Sequence, residues 1–148
     1  MTEPVLTETL APATDAEVRD AVAWAAAEET PLEIVGAGTR RAIGRPAQAA
    51  RTLDVSGVSG ILLYEPDELV LSVRPGTPRA EVEAALAEAG QAFAFEPVDT
   101  GPLLGLPPGG GTVGGIFATG LSGPRRISAG AVRDHMLGLT AVSGRGEL

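Results

Sequence analysis

The segment Pro107-Pro108-Gly109-Gly110-Gly111-Thr112-Val113-Gly114-Gly115 constrains the fold more than any other stretch of this chain, because five of its nine positions are glycine. Glycine loses the most backbone freedom on ordering and brings no side chain to bury, so such a run reads as a loop. A flexible linker is one outcome of that composition. Linkers, however, are rich in Gly and Ser alone, whereas this run is interleaved with Val113, Ile116, Phe117 and Leu121, which read as anchors into a core. The favoured reading is a structured loop. Its small residues, Gly114, Gly115, Ala118, Thr119 and Gly120, let the backbone approach a bulky flat ligand closely, with Arg125 and Arg126 following in the sequence. A nucleotide loop of the Walker A type would need a lysine after its second glycine, and the chain contains no lysine.

A second, shorter glycine loop lies upstream. Leu32-Glu33-Ile34-Val35 reads as a strand that runs directly into Gly36-Ala37-Gly38-Thr39-Arg40, and Gly44 and Pro46 forbid a helix immediately afterwards. Glycines at alternate positions let successive N–H groups converge on an anion, and Thr39 and Arg40 add a hydroxyl and a cation. Taken alone, a GxGT is more often a tight turn between strands. A Rossmann fingerprint would require a third glycine where Arg41 stands, and a helix opening there, so that reading fails.

The whole-chain properties narrow the function class. At 148 residues the chain suits one ordinary domain with a core. A formal net charge of -8 argues against nucleic acid, whose phosphates need clustered cations. Without cysteine there is no disulfide framework, no cysteine-held zinc and no iron–sulfur cluster, so any electrons handled here need an organic cofactor or another subunit. The opening MTEPVLTETL lacks a basic segment followed by an apolar one, and no run approaches the ~18 apolar residues of a membrane span. A cytoplasmic protein is the expectation.

Residues 1–13 are expected to be an extended lead-in. Thr14-Asp15-Ala16-Glu17 fits a capping box for a helix to about Glu28, stopped by Thr30-Pro31. Ile61–Tyr64 and Leu69–Val73, separated by Glu65-Pro66-Asp67-Glu68, make a hairpin candidate. Thr77 and Pro78 read as the N-cap and first residue of a helix with Val82, Ala85, Leu86 and Ala89 on one face, ended by Gly90. Ala92–Phe95 and Met136–Val142 are expected to be strands. Ser143-Gly144-Arg145-Gly146 then turns into a return strand of which only Glu147 and Leu148 are present, which reads as an element cut short.

In order and spacing, the strand and GxGT loop, the hairpin around Tyr64–Leu69, the Pro75-Gly76-Thr77 helix start and the Gly114-Gly115 segment resemble the FAD-binding (PCMH-type) domain of the vanillyl-alcohol oxidase superfamily. Within it, Gly120-Leu121-Ser122-Gly123-Pro124-Arg125-Arg126 followed by Gly130-Ala131-Val132-Arg133-Asp134 looks most like the FAD-binding subunits of bacterial glycolate oxidases. The resemblance implies an α+β fold of two small α+β subdomains, the first about 14–75 and the second beginning about 76, incomplete at the C-terminus. It implies FAD pyrophosphate between them, held by Gly36, Ala37, Gly38, Thr39 and Arg40 on one side and by Pro108, Thr112, Val113, Gly114, Gly115, Ala118 and Ser122 on the other. Some relatives tether flavin through a histidine in the first loop; this loop has none, so noncovalent FAD is expected. The implied partners are a second flavoprotein subunit and an iron–sulfur subunit, with any membrane association made through them. The implied reaction is oxidation of a 2-hydroxy acid, its catalytic residues unassigned.

Other residues keep bland readings beside functional ones. Arg125 and Arg126 suit a phosphate, a carboxylate or a subunit contact. Asp99 and Asp134 suit ribose hydroxyls, but capping and turn roles are commoner. His135, the one histidine, reads as structural. Trp24 lies off the main apolar stripe of the first helix. Two further functions stay open: a noncatalytic assembly module of a flavoprotein complex, and another oxidoreductase of the same fold, such as a D-lactate dehydrogenase.

Overall fold

The computed structural model describes residues 8–46 and 48–148. Part of the expected lead-in is strand β1, Glu8–Leu10, and its first seven residues lie outside the described ones. Helix α1, Asp15–Ala27, starts where Thr14 predicts: the Thr14 hydroxyl accepts the Glu17 N–H at 3.2 Å. Glu17 reaches one residue further back than in a standard capping box, accepting the Ala13 N–H at 2.7 Å. Strand β2, Leu32–Val35, follows, and the chain then runs through the first glycine loop to β3, Arg51–Asp54.

The three strands form a parallel sheet in the order β1-β3-β2. Its central strand carried no sequence signal. Arg51-Thr52-Leu53-Asp54 has one large apolar residue, yet Leu53, on the central strand, is only 1% exposed.

The expected hairpin is present as β4, Ile61–Glu65, and β5, Val70–Val73, joined through a 3₁₀ turn at Pro66–Glu68. Helix α2, Arg79–Glu88, packs Val82 and Leu86 against Ile61, Tyr64, Leu71 and Val73 of the hairpin. Thr77 does not cap it. The N-cap is Pro78, and Thr77, fully buried, instead accepts the Gly60 N–H at 2.9 Å and donates to the Arg74 carbonyl at 2.8 Å, pinning the hairpin exit to the chain that precedes it.

Two expected strands are absent. Ala92–Phe95 is irregular chain, bounded by the Gln91 N–H turning back to the Leu86 carbonyl and by Pro97, which has no N–H. Its alternation is real but serves as core filling: Phe95 is buried with Ile116 and Val132, and Phe93 lies against both core clusters. Met136–Val142 forms no strand either. Leu137 and Leu139 are largely exposed and no described strand runs beside them, although the turn after it forms, with the Gly146 N–H on the Ser143 carbonyl at 2.9 Å.

The glycine-rich segment is only partly a loop. Val113–Thr119 is helix α3, capped by the Thr112 hydroxyl on the Gly115 N–H at 3.3 Å. Val113 and Ile116 are the anchors into the core that the sequence suggests, whereas Phe117 and Leu121 remain over a third exposed. Helix α4, Arg126–Ala129, and a 3₁₀ turn at Val132–His135 complete the chain, which is α+β throughout.

Candidate functional site

The two glycine segments, some seventy residues apart in sequence, meet in space. A Cβ on Gly36 would lie 2.5 Å from Thr112 Oγ1, an approach that requires glycine, and one on Gly115 would lie 2.9 Å from Arg40 Nη1 and would push the end of that side chain aside. On the facing side, the Cβ positions of Gly110 and Gly111 fall 3.0 Å from Thr39 Cγ2 and 3.4 Å from Thr39 Oγ1. Gly36, Thr39, Arg40, Gly110, Gly111, Thr112 and Gly115 thus form one cluster where the chain leaves β2 and enters α3.

Arg40 is its electrostatic centre. The side chain is half-buried and donates from Nη2 to the Val98 carbonyl at 3.2 Å, but its Nε is buried with no hydrogen-bond partner among the described residues. Burial, and then the neighbouring Arg79, lower the guanidinium's pKa, with Asp99 opposing them. A buried donor without an acceptor is costly; the atom beside the glycines is Nη1, 3.6 Å from the Cβ position of Gly111 and 2.9 Å from that of Gly115. Arg41 plays no such part: its guanidinium donates to Glu33, with Nε to Oε1 at 2.9 Å.

The remaining residues expected at the site divide. Ala37 is exposed, Gly38 takes a left-handed φ of 69° that bends the loop back, and Pro108 is exposed just before Gly109. The Val113 side chain belongs to the core, and its N–H is spent on the Thr77 carbonyl at 3.0 Å. Gly114 faces Pro75, bonding its carbonyl at 2.8 Å. Ala118 lines a separate cavity with Phe117, Gly120, Arg126 and Arg133, and Ser122 sits at an isolated bridge with Pro97.

Asp99 and Arg79 join the cluster only in three dimensions. Asp99 has a turn role, as its residue type favours, holding the Gly101 and Gly109 N–H groups at 2.9 and 2.7 Å. These bonds, Gly109 first, hold its carboxyl below the usual range. Nothing in the local pattern around Arg79 marks it; it reaches the cluster from the first turn of α2. Arg125 pairs with Glu96, Nε to Oε1 at 2.8 Å, and is structural, and His135 Nε2 lies 2.8 Å from the Ala129 carbonyl beside the Phe95 ring. Asp134 accepts the Ala131 N–H at 2.8 Å.

A family model described as an FAD binding domain matches residues 8–148. The chain belongs to this FAD-binding family. Among curated proteins it is 42% identical over 123 residues to the glycolate oxidase subunit GlcE of Escherichia coli K12, an alignment covering 83% of this chain and 33% of that protein. It is 28% identical over 138 residues to an uncharacterised FAD-linked oxidoreductase of Mycobacterium tuberculosis, covering 93% of this chain and 28% of that one. The chain therefore spans about a third of the length of the curated relatives it matches. Among solved structures, alkyldihydroxyacetonephosphate synthase superposes with a TM-score of 0.66 at 21% identity, over 85% of this chain and 23% of that one, a likeness of fold.

FAD is the cofactor of this family, and the residues present fit its most anionic part. A diphosphate suits convergent donors with little side-chain bulk, and the cluster brings glycines together with the Arg40 guanidinium and the Thr39 hydroxyl. The nearby Asp99 carboxylate accepts one backbone N–H on each of its oxygens. No helix among the described residues is long and apolar enough to cross a membrane.

Proposed function

We propose that this chain is the FAD-binding part of a subunit that oxidises glycolate or a closely related 2-hydroxy acid, holding FAD noncovalently. The observation that carries the reading is the meeting of the two glycine segments at Arg40, whose Nη1 lies beside the Cβ positions of Gly111 and Gly115. In this reading the Gly36–Arg40 loop and the Gly110–Gly115 segment grip the diphosphate, where a first subdomain, about 14–75, meets a second that begins about 76. Arg40 supplies the charge-assisted bond and Thr39 a hydroxyl, and the glycines keep Cβ atoms out of the way. Bound FAD supplies the acceptor for the two electrons of the alcohol carbon.

The 42% identity to a named glycolate oxidase subunit supports the substrate class. Partner subunits, a second flavoprotein and an iron–sulfur protein, belong to the same proposal, and the 42% identity to a protein named as a subunit of glycolate oxidase supports an assembly. The test is anaerobic addition of glycolate, and separately D-lactate, to the protein purified with its partners. Bleaching of the flavin band by glycolate supports the reading; a flavin reduced only by D-lactate replaces the substrate, and one reduced by neither overturns the proposed reaction.

A further inference from the structure

We propose that Asp99 is a positioning residue for the cofactor: its carboxylate closes residues 99–109 into a fixed loop and so holds Gly109-Gly110-Gly111 against Thr39 and Arg40. The proposal rests on the FAD reading above. One carboxylate oxygen accepts the Gly101 N–H at 2.9 Å and the other the Gly109 N–H at 2.7 Å, so a single side chain ties the base of the loop at two points. Between them the chain folds on itself. The Leu104 N–H bonds the Thr100 carbonyl at 3.1 Å, the Leu106 N–H bonds the Gly101 carbonyl at 2.8 Å, and a Cβ on Gly101 would collide with the Pro107 carbonyl oxygen. Beyond the tie, the Gly111 carbonyl accepts the Arg79 N–H at 3.0 Å. Gly110 is therefore fixed from both sides at its contact with Thr39.

The charged groups facing Asp99 are Arg40 and Arg79, and Arg79 is also paired with Glu83 at 2.7 Å. They offset the carboxylate, and each of its oxygens also accepts one backbone N–H, so an anion seated beside Arg40 does not meet a bare negative charge. This explains how an acidic residue is tolerated so close to a diphosphate cradle. It also assigns a purpose to a loop whose Leu103 and Leu106 remain exposed and add little to the core.

The experiment measures FAD affinity, apoprotein melting and the Gly109 amide resonance in the complete protein as wild type, Asp99→Asn and Asp99→Glu. Whichever way the Asn amide turns, one glycine N–H faces an NH₂ group. FAD binding should weaken roughly tenfold or more, with loss of the downfield amide shift that a carboxylate partner produces. Asp99→Glu keeps the charge and should recover part of the affinity. Apoprotein melting should move by only a few degrees. Equal affinity in all three proteins overturns the proposal, as does a lowered melting temperature with unchanged affinity, which would leave Asp99 a purely structural tie. A wild type that takes up no FAD defeats the cofactor reading and this proposal together, so the wild type alone separates the two failures.

Discussion

Arg40 is placed where a residue selected for stability alone would not be. Its Nε is buried without a partner and a second guanidinium, Arg79, stands close enough to lower its pKa. Both effects oppose folding and both favour binding an anion. Arg40→Met should therefore leave the apoprotein as stable as wild type or slightly more so, while weakening FAD by ~tenfold to a hundredfold. Thermal melting without FAD and a FAD titration check the two halves separately. The acidic residues respond to pH in a defined direction. Asp99 is held below the usual carboxylate range first by the Gly109 N–H and then by Gly101, and Asp134 first by the Ala131 N–H. For a depressed carboxylate the stabilisation is complete above the unfolded value, about 3.9, and is lost as pH falls through the folded one. Melting temperature should thus fall in wild type below about pH 4, whereas the double variant Asp99→Asn, Asp134→Asn should start lower at neutral pH and fall less steeply.

At the scale of elements, α3 couples the core to the site. Its first turn buries Val113 beside Val82 and Leu86, and the same turn presents Gly115 to Arg40. Thr112→Ala removes the cap of this helix and should cost about 1 kcal/mol, seen as a melting shift of about 3 °C, with some loss of FAD because the Gly115 N–H is freed. Leu86→Ala, in the core between α2 and the hairpin, should cost about 3 kcal/mol, measurable by urea unfolding, while FAD affinity per folded molecule stays near wild type. The elements legible in the sequence were those with their own local physics: the Thr14 cap, the Pro66-Asp67 turn, the helical period of α2. Others depended on distant partners. β3 is a strand only because β1 and β2 flank it, Ala92–Phe95 is not one although it alternates, and α3 forms through its Thr112 cap and buried anchors despite Gly114 and Gly115 within it.

At the scale of the molecule, the site is an encounter between loops that sequence spacing does not bring together. Each loop was visible because glycine clusters and a Thr-Arg pair are local facts, and their assignment to one ligand came from family resemblance. That Gly36 touches Thr112 and Gly115 touches Arg40 follows from the sheet order and from α2 packing on the hairpin. Asp99 and Arg79 entered the cluster by the same route, and no local pattern marked them. The measurement that tests the central claim most directly is an absorbance titration of FAD into the complete protein as wild type and as Gly115→Val, with release of the flavin on denaturation. The joined cradle predicts a yellow wild type that gives up intact FAD when unfolded, and a Gly115→Val protein that folds but retains little flavin, because its side chain displaces Arg40. A wild type and a variant that bind FAD equally well would contradict it, and would put the diphosphate elsewhere on the chain.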